Sequence, residues 1–175
     1  MKVLVAAASK HGSTAEIARI IGDVLEDRGA EVLVATPETV EGVDEYDAII
    51  LESAIYAGRW RKSAKEFIER NKHQLSERDV WLFSSGPLGD PAKPAEDPED
   101  AASIIDAINP QGHHVFAGKL DRRDLNLAER AIVKGVGAAY GDFRKWGDIR
   151  RWASEIADHL DLTLETPGGE MAATR

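Results

Sequence analysis

The chain predicts an α/β fold: a doubly wound sheet of five parallel strands in the order 2-1-3-4-5, with an extra helix after the fifth strand. Three observations carry this. Short apolar runs alternate with helical stripes along the chain. The middle runs are apolar almost without a break, as strands covered on both faces are. Right-handed crossovers between such units leave few other topologies.

Residues 2 to 8 ("KVLVAAA") form the first strand. Ile17, Ala18, Ile21, Val24 and Leu25 then fall on one helical stripe. Ser13 followed by Glu16 is a capping-box pattern that marks the helix start, and Gly29 suits its end. "EVLVA" (31–35) is the second strand and "YDAIILESA" (46–54) the third. The connection between them, "TPETVEGVDE", has room for one helical turn at most. Ser63 and Glu66 repeat the capping pattern before a stripe of Ala64, Phe67, Ile68 and Leu75. "DVWLFSS" (79–85) is the fourth strand, residues 99 to 108 are a short helix, and "HHVFAGKL" (113–120) is the fifth strand. Between it and the last helix lies an added segment, residues 121–147, in which Asn126 and Glu129 cap a helix over 127–138. Its stripe of Leu127, Ala131, Ile132 and Val136 is expected to pack on the domain. The last helix carries Ile149, Trp152, Ala153, Ile156 and Leu160. Residues 87–98 hold four of the seven prolines and read as a surface loop. The expected domain is 1–162, with 163–175 a disordered tail.

Composition narrows the function. A chain of 175 residues suits one core. A net charge of −9 disfavours nucleic acid and anionic lipid as partners of the whole surface. Without cysteine there are no thiolate metal sites, iron–sulfur ligands or cysteine nucleophiles. The start reads as a strand, not a secretory leader, and a cytoplasmic location is expected. P-loop, Rossmann and nucleophile-elbow patterns are absent. A receiver-type acidic pair is missing after the first strand, which leaves Lys119 as a surface lysine. Adjacent His113 and His114 point to opposite faces of a strand and do not readily share a metal; no metal site is expected.

Ligands of a doubly wound sheet bind beyond the carboxyl ends of its strands. Three loops meet there. The first holds Ser9, Lys10, His11, Gly12, Ser13 and Thr14: short hydroxyls and a glycine before a helix, suited to a phosphate. Its plain structural alternative is a helix cap and a turn. The second holds Ala54, Ile55, Tyr56, Ala57, Gly58, Arg59 and Trp60, with two aromatics that either stack on a flat ligand or pack on the core. The third, Ser84, Ser85, Gly86, Pro87, Leu88 and Gly89, is bent and bare enough to line a planar ring.

These residues resemble the flavodoxins. Ser9, Gly12, Thr14, Ala18 and Ile21 fit the flavodoxin phosphate signature, whereas Ala6 and Ala7 depart from it. "SAIYAGRWRKSAKEFI", "VFAGKL", the added segment and "GDFRKWGDIRRWASEIA" further resemble the flavodoxin-like menaquinone-dependent protoporphyrinogen oxidases, over about residues 2 to 160. The resemblance implies FMN held by the three loops, phosphate at 9–14 and the ring between the other two. A deazaflavin in place of FMN stays open, as does the oligomeric state.

A flavin needs no catalytic side chain; the protein sets its potential and access. Arg59, Arg61 and Lys62 follow Gly58 beside the expected ring. Positive charge there favours reduced, anionic flavin and suits an enzyme that takes electrons from an organic substrate. Screened in solvent, the same cations say nothing. Arg59 and Trp60 are the residues expected at a substrate entrance. The resemblance implies a porphyrinogen-like reductant and a quinone acceptor, hence an FMN oxidoreductase of heme biosynthesis with at most peripheral contact at the inner face of the cell membrane. A flavodoxin carrier between redox protein partners, or an NAD(P)H:quinone reductase, is the alternative.

Overall fold

The computed structural model describes residues 1–9, 12–56, 59–86, 101–137 and 139–162, with the main chain alone for Ile55, Tyr56, Ala101, Ile132 and Val136. Its parallel sheet is built from β1 (Lys2–Ala8), β2 (Glu31–Ala35), β3 (Ala48–Tyr56), β5 (Asp79–Ser85) and β6 (Gly112–Phe116), in the order β2-β1-β3-β5-β6. This is the expected 2-1-3-4-5 order. The label shifts because a two-residue strand, β4 (Arg59–Trp60), turns back antiparallel on the end of β3. In register, β3 sets Glu52 between Ala7 of β1 and Phe83 of β5.

Alternation along these strands feeds two cores. On one face, α1 (Ser13–Asp27) and α5 (Trp146–His159) cover Val3, Val5, Ala48, Ile50, Trp81 and Phe83. On the other, α2 (Lys62–Ser76) and α3 (Ala101–Ile108) cover Leu4, Ala6, Ile49, Leu51, Val80 and Leu82. The apolar 3.6-residue stripes of these helices dictate which side turns inward: Ile17, Ala18, Ile21 and Leu25 of α1 are fully buried. Gly29, at φ 91°, ends α1 as expected. The 36–45 connection forms turns only.

The fifth strand is shorter than expected. It stops at Phe116, and Lys119–Leu120 (β7) pairs antiparallel with Gly141–Asp142 (β8), outside the main sheet. Gly118 explains the break. A Cβ there would lie 3.3 Å from the Gly86 Cα, so two bare backbones pack together where the chain leaves the sheet. The added segment then runs through a 3₁₀ turn (Arg122–Asp124) and α4 (Leu127–Val136). Asn126 and Glu129 make both legs of their capping box, and Gly137 at φ 64° closes α4 before the expected residue 138. Half of its stripe departs from expectation: Leu127 is 81% exposed and Ala131 is exposed, while Glu129 on the other side turns inward; the side chains of Ile132 and Val136 lie outside the described residues. Among the described residues no helix is long and apolar enough to cross a membrane. The loop at 87–98 and the tail 163–175 lie outside the described residues, as does the expected helical start at 99–100.

Candidate functional site

The carboxyl ends of β1, β3 and β5 form one edge, and α1 starts there. The first turn of α1 is uncapped. Gly12 is its N-cap in a left-handed conformation, φ 82°, and among the described residues no side chain caps the turn. The capping box expected at Ser13 and Glu16 is not formed. Ser13 lies inside the helix, and the Glu16 carboxylate turns outward to Arg144, 2.7 Å away. An ion pair to a buried guanidinium outcompetes a bond to a main-chain N–H. The box at Ser63 and Glu66 is not formed either: Arg61 is the N-cap of α2, and Glu66 pairs with Lys62 at 3.2 Å.

A helix N-terminus without a cap leaves main-chain N–H groups aimed outward and concentrates the positive end of the helix dipole. Space in front of Gly12 is open: a Cβ built there would meet nothing within 4 Å. Ser9 Oγ accepts from the Gly12 N–H at 3.0 Å and so shapes the loop. The arrangement suits an oxyanion. Lys10 and His11 lie outside the described residues.

Thr14 does not turn its hydroxyl to that space. It is buried, and its Oγ1 shares a 2.8 Å hydrogen bond with Ser85 Oγ. Ser85 in turn donates to Glu52 Oε1 at 3.4 Å. Glu52 is wholly buried, and among the described residues its Oε2 has no hydrogen-bond partner. Burial pushes its carboxyl well above the usual range; the nearby hydroxyls of Ser85 and Thr14, the Ala8 main chain and the Arg61 charge pull the other way and lose. The sequence reading missed Glu52, although a lone acid inside "AIILESAIY" was the signal.

The second loop departs from expectation at Trp60. Instead of standing at an entrance, it is 3% exposed and packs in the core under α2. Its indole N–H donates to Ser84 Oγ at 2.9 Å, which also bonds His113 Nε2 at 2.9 Å. Burial of a large ring with its one donor satisfied outweighs exposure. Ser84 is therefore also turned inward. Arg59 is exposed at the edge, and Ala54 is half-buried. The main chain of Ile55 and Tyr56 continues β3, with Tyr56 opposite Arg59. Gly86 is held by its N–H to the Phe116 carbonyl at 3.2 Å. Ala57, Gly58, Pro87, Leu88 and Gly89 lie outside the described residues. His114 faces the opposite side from His113, against Phe116 and Trp152.

Arg144 straps the added segment to this edge. Its side chain is 3% exposed. It forks onto Asp142 at 2.8 and 2.6 Å, donates to the Ser13 carbonyl at 3.0 Å and stacks on Trp146 at 4.3 Å. These bonds hold Asp142 below the usual carboxylate range and raise the guanidinium. No pattern in the sequence marks Arg144 as a strap, because two of its partners, Ser13 and Glu16, lie across the chain. Beyond the strap, an open groove of about 620 Å³ lies between Arg122, Arg130, Lys134, Leu127 and Tyr140.

The model of the flavodoxin domain family matches residues 4–143. No curated protein matches the chain in sequence. Among solved structures, a flavodoxin from the domain Archaea superposes with a TM-score of 0.62 at 16% identity, over 92% of this chain and 99% of that one. Flavodoxin 1 from Bacillus cereus gives 0.62 at 14% identity, over 91% and 99%. The rubredoxin oxygen:oxidoreductase of Desulfovibrio gigas gives 0.63 at 14%, over 91% of this chain and 36% of that one. At these identities the structural likeness concerns the fold.

Proposed function

The chain belongs to the flavodoxin domain family, and from that premise we propose that it is an electron carrier that passes electrons between redox protein partners. Membership implies FMN as the bound group. The single observation that carries the proposal is the uncapped, glycine-led first turn of α1 opening on the carboxyl edge of the sheet. That turn fits the phosphate: main-chain N–H groups of Ser13 and Thr14 face outward, and Gly12 lets the anion approach. Ser9, Lys10 and His11 complete the phosphate loop in this reading. Residues 54–60 and 84–89 flank the ring. Thr14, Ser84 and Ser85 contribute position and main chain, since the described bonds of their hydroxyls run inward.

When bound, FMN supplies the redox chemistry, and the chain supplies binding, access and local charge. Arg59, exposed at the β3–β4 turn, adds positive charge beside the ring. Reconstitution with FMN and anaerobic reduction by a flavodoxin reductase test the reading. A carrier retains FMN, is reduced rapidly by the protein partner and turns over little with small molecules alone. Absence of FMN retention overturns it.

One observation favours a second reading, an FMN oxidoreductase acting on a porphyrinogen-like reductant and a quinone. The added segment is a built unit, with a closed capping box, a β7–β8 ribbon and the Arg144 strap, and it carries a groove with three cations and exposed Leu127 and Tyr140. A carboxylated, partly apolar substrate, or a quinone at a membrane face, would suit that lining. Porphyrin fluorescence after anaerobic mixing of holoprotein, porphyrinogen and a soluble menaquinone analogue separates the two. Turnover without a protein partner selects the enzyme, and its absence beside rapid reduction by the reductase selects the carrier.

A further inference from the structure

The buried acid at the floor of the site has no part in electron transfer as derived above. Glu52 lies under the first turn of α1, joined to it by a continuous chain: Thr14 Oγ1 to Ser85 Oγ at 2.8 Å, Ser85 Oγ to Glu52 Oε1 at 3.4 Å. If Ser85 gives its proton to Glu52, Thr14 must give its own to Ser85, so the chain has one consistent direction. Glu52 Oε2 is buried and has no hydrogen-bond partner among the described residues. A carboxylate left so would be severely penalised; a neutral carboxylic acid, with its proton on Oε2, is penalised far less.

An anion in front of the same turn would sit near this group. We propose that Glu52 is a positioning residue of the flavin site: its uncharged carboxyl, tied through Ser85 and Thr14 to the first turn of α1, keeps that turn receptive to the flavin phosphate. The proposal rests on FMN as the bound group. Ionisation of Glu52 would put a second negative charge behind the phosphate in a poorly solvated layer and repel it. By linkage, a bound phosphate must in turn make Glu52 harder to ionise.

The groups facing Glu52 permit this coupling. β1 offers Ala7 and Ala8, β5 offers Phe83 and Ser85, and α1 offers Thr14, none of which titrates. Arg61, before α2, is the cation acting on it among the described residues. Glu16 in the same turn points outward and is paired with Arg144.

The experiment has two readouts. First, dissociation constants of FMN and riboflavin are measured between pH 7.5 and 10, where the FMN phosphate keeps a constant charge, for the native chain and Glu52→Gln. The native chain should lose FMN affinity by about tenfold or more across Glu52 ionisation, riboflavin affinity should change far less, and Glu52→Gln should bind FMN with no such dependence. Second, the Glu52 carboxyl is followed by side-chain ¹³C NMR in the native apoprotein, alone and with FMN or inorganic phosphate. Its midpoint should rise when either is bound. Equal pH profiles for native and variant chains, or an unmoved midpoint, overturn the proposal. So does a carboxyl already ionised at pH 6, or one protonated to pH 10 in every form. Failure to retain FMN at any pH strikes the carrier reading instead; the midpoint with inorganic phosphate then still decides Glu52.

Discussion

Replacing Arg144 by Met removes a guanidinium that, with the residue's main chain, makes five hydrogen bonds to Asp142, Glu16 and Ser13. (One of the five is the main-chain N–H to Asp142, which the variant keeps.) Breaking a buried ion pair by deleting one partner costs about 3–5 kcal/mol when the other charge stays buried. Here it does not: the Asp142 and Glu16 side chains are 43% and 46% exposed and can rehydrate. Met also keeps most of the stacking area on Trp146. The expected loss is therefore about 2–3 kcal/mol, or roughly 5–10 °C in melting temperature for a chain of this size. Urea unfolding, followed by tryptophan fluorescence, measures it. Arg144→Lys keeps the charge without the planar fork and should recover less than half of the loss. Freed from Arg144, Glu16 also leaves an unneutralised charge in the first turn of α1. FMN affinity should fall about three- to fivefold and riboflavin affinity should not, a difference that salt reduces. Two results refute the reasoning: a stability loss under about 0.5 kcal/mol, or an Arg144→Met effect that is the same in an Asp142→Asn background, which would show no coupling between the pair.

Three further outcomes follow from the same geometry. Gly12→Ala should destabilise by about 1–2 kcal/mol through its positive φ alone, since its Cβ meets no neighbour, and FMN titration should show weaker binding. Trp60→Phe should lose about 1 kcal/mol by chemical denaturation, the worth of its indole bond to Ser84, without abolishing FMN binding. His114 is exposed on one side, yet packing against Phe116 and Trp152 partly desolvates its ring and lowers its titration against the opposing pull of Glu155 and Asp148, so the neutral form favours the folded state. The stability it contributes is present above its unfolded pKa and is lost as pH falls below about 6.5, so His114→Phe should flatten stability from pH 7 to 5.

The elements of this protein were legible because they rest on local periodicity. Apolar runs and 3.6-residue stripes report what a segment buries, and burial is the largest driving force in placing it. Five parallel strands, the four flanking helices and the added helix follow from that, as does the position of a glycine-led turn at the strand edge. Capping was legible only where no charged partner, remote or local, competed for the glutamate. The pattern at Asn126 and Glu129 forms both its bonds, whereas the same pattern at Ser13 and Glu16 is overridden by a guanidinium 128 residues away from Glu16. A capping bond contributes about 1 kcal/mol, less than a charge-assisted bond to a buried arginine.

Side-chain direction was settled by contacts between distant segments. Trp60 looked like an exposed ring from its loop, yet it finds Ser84 and a core pocket, 24 residues on. Thr14 looked like a phosphate donor, yet its hydroxyl meets Ser85 across 71 residues of chain. Glu52 stands in an apolar strand as its one acid, but whether such an acid faces water, a cation or two hydroxyls depends on what the neighbouring strand and helix present. Periodicity records how much surface a residue buries; it holds no record of which polar group waits opposite, because that group belongs to another part of the chain and arrives only when the sheet closes.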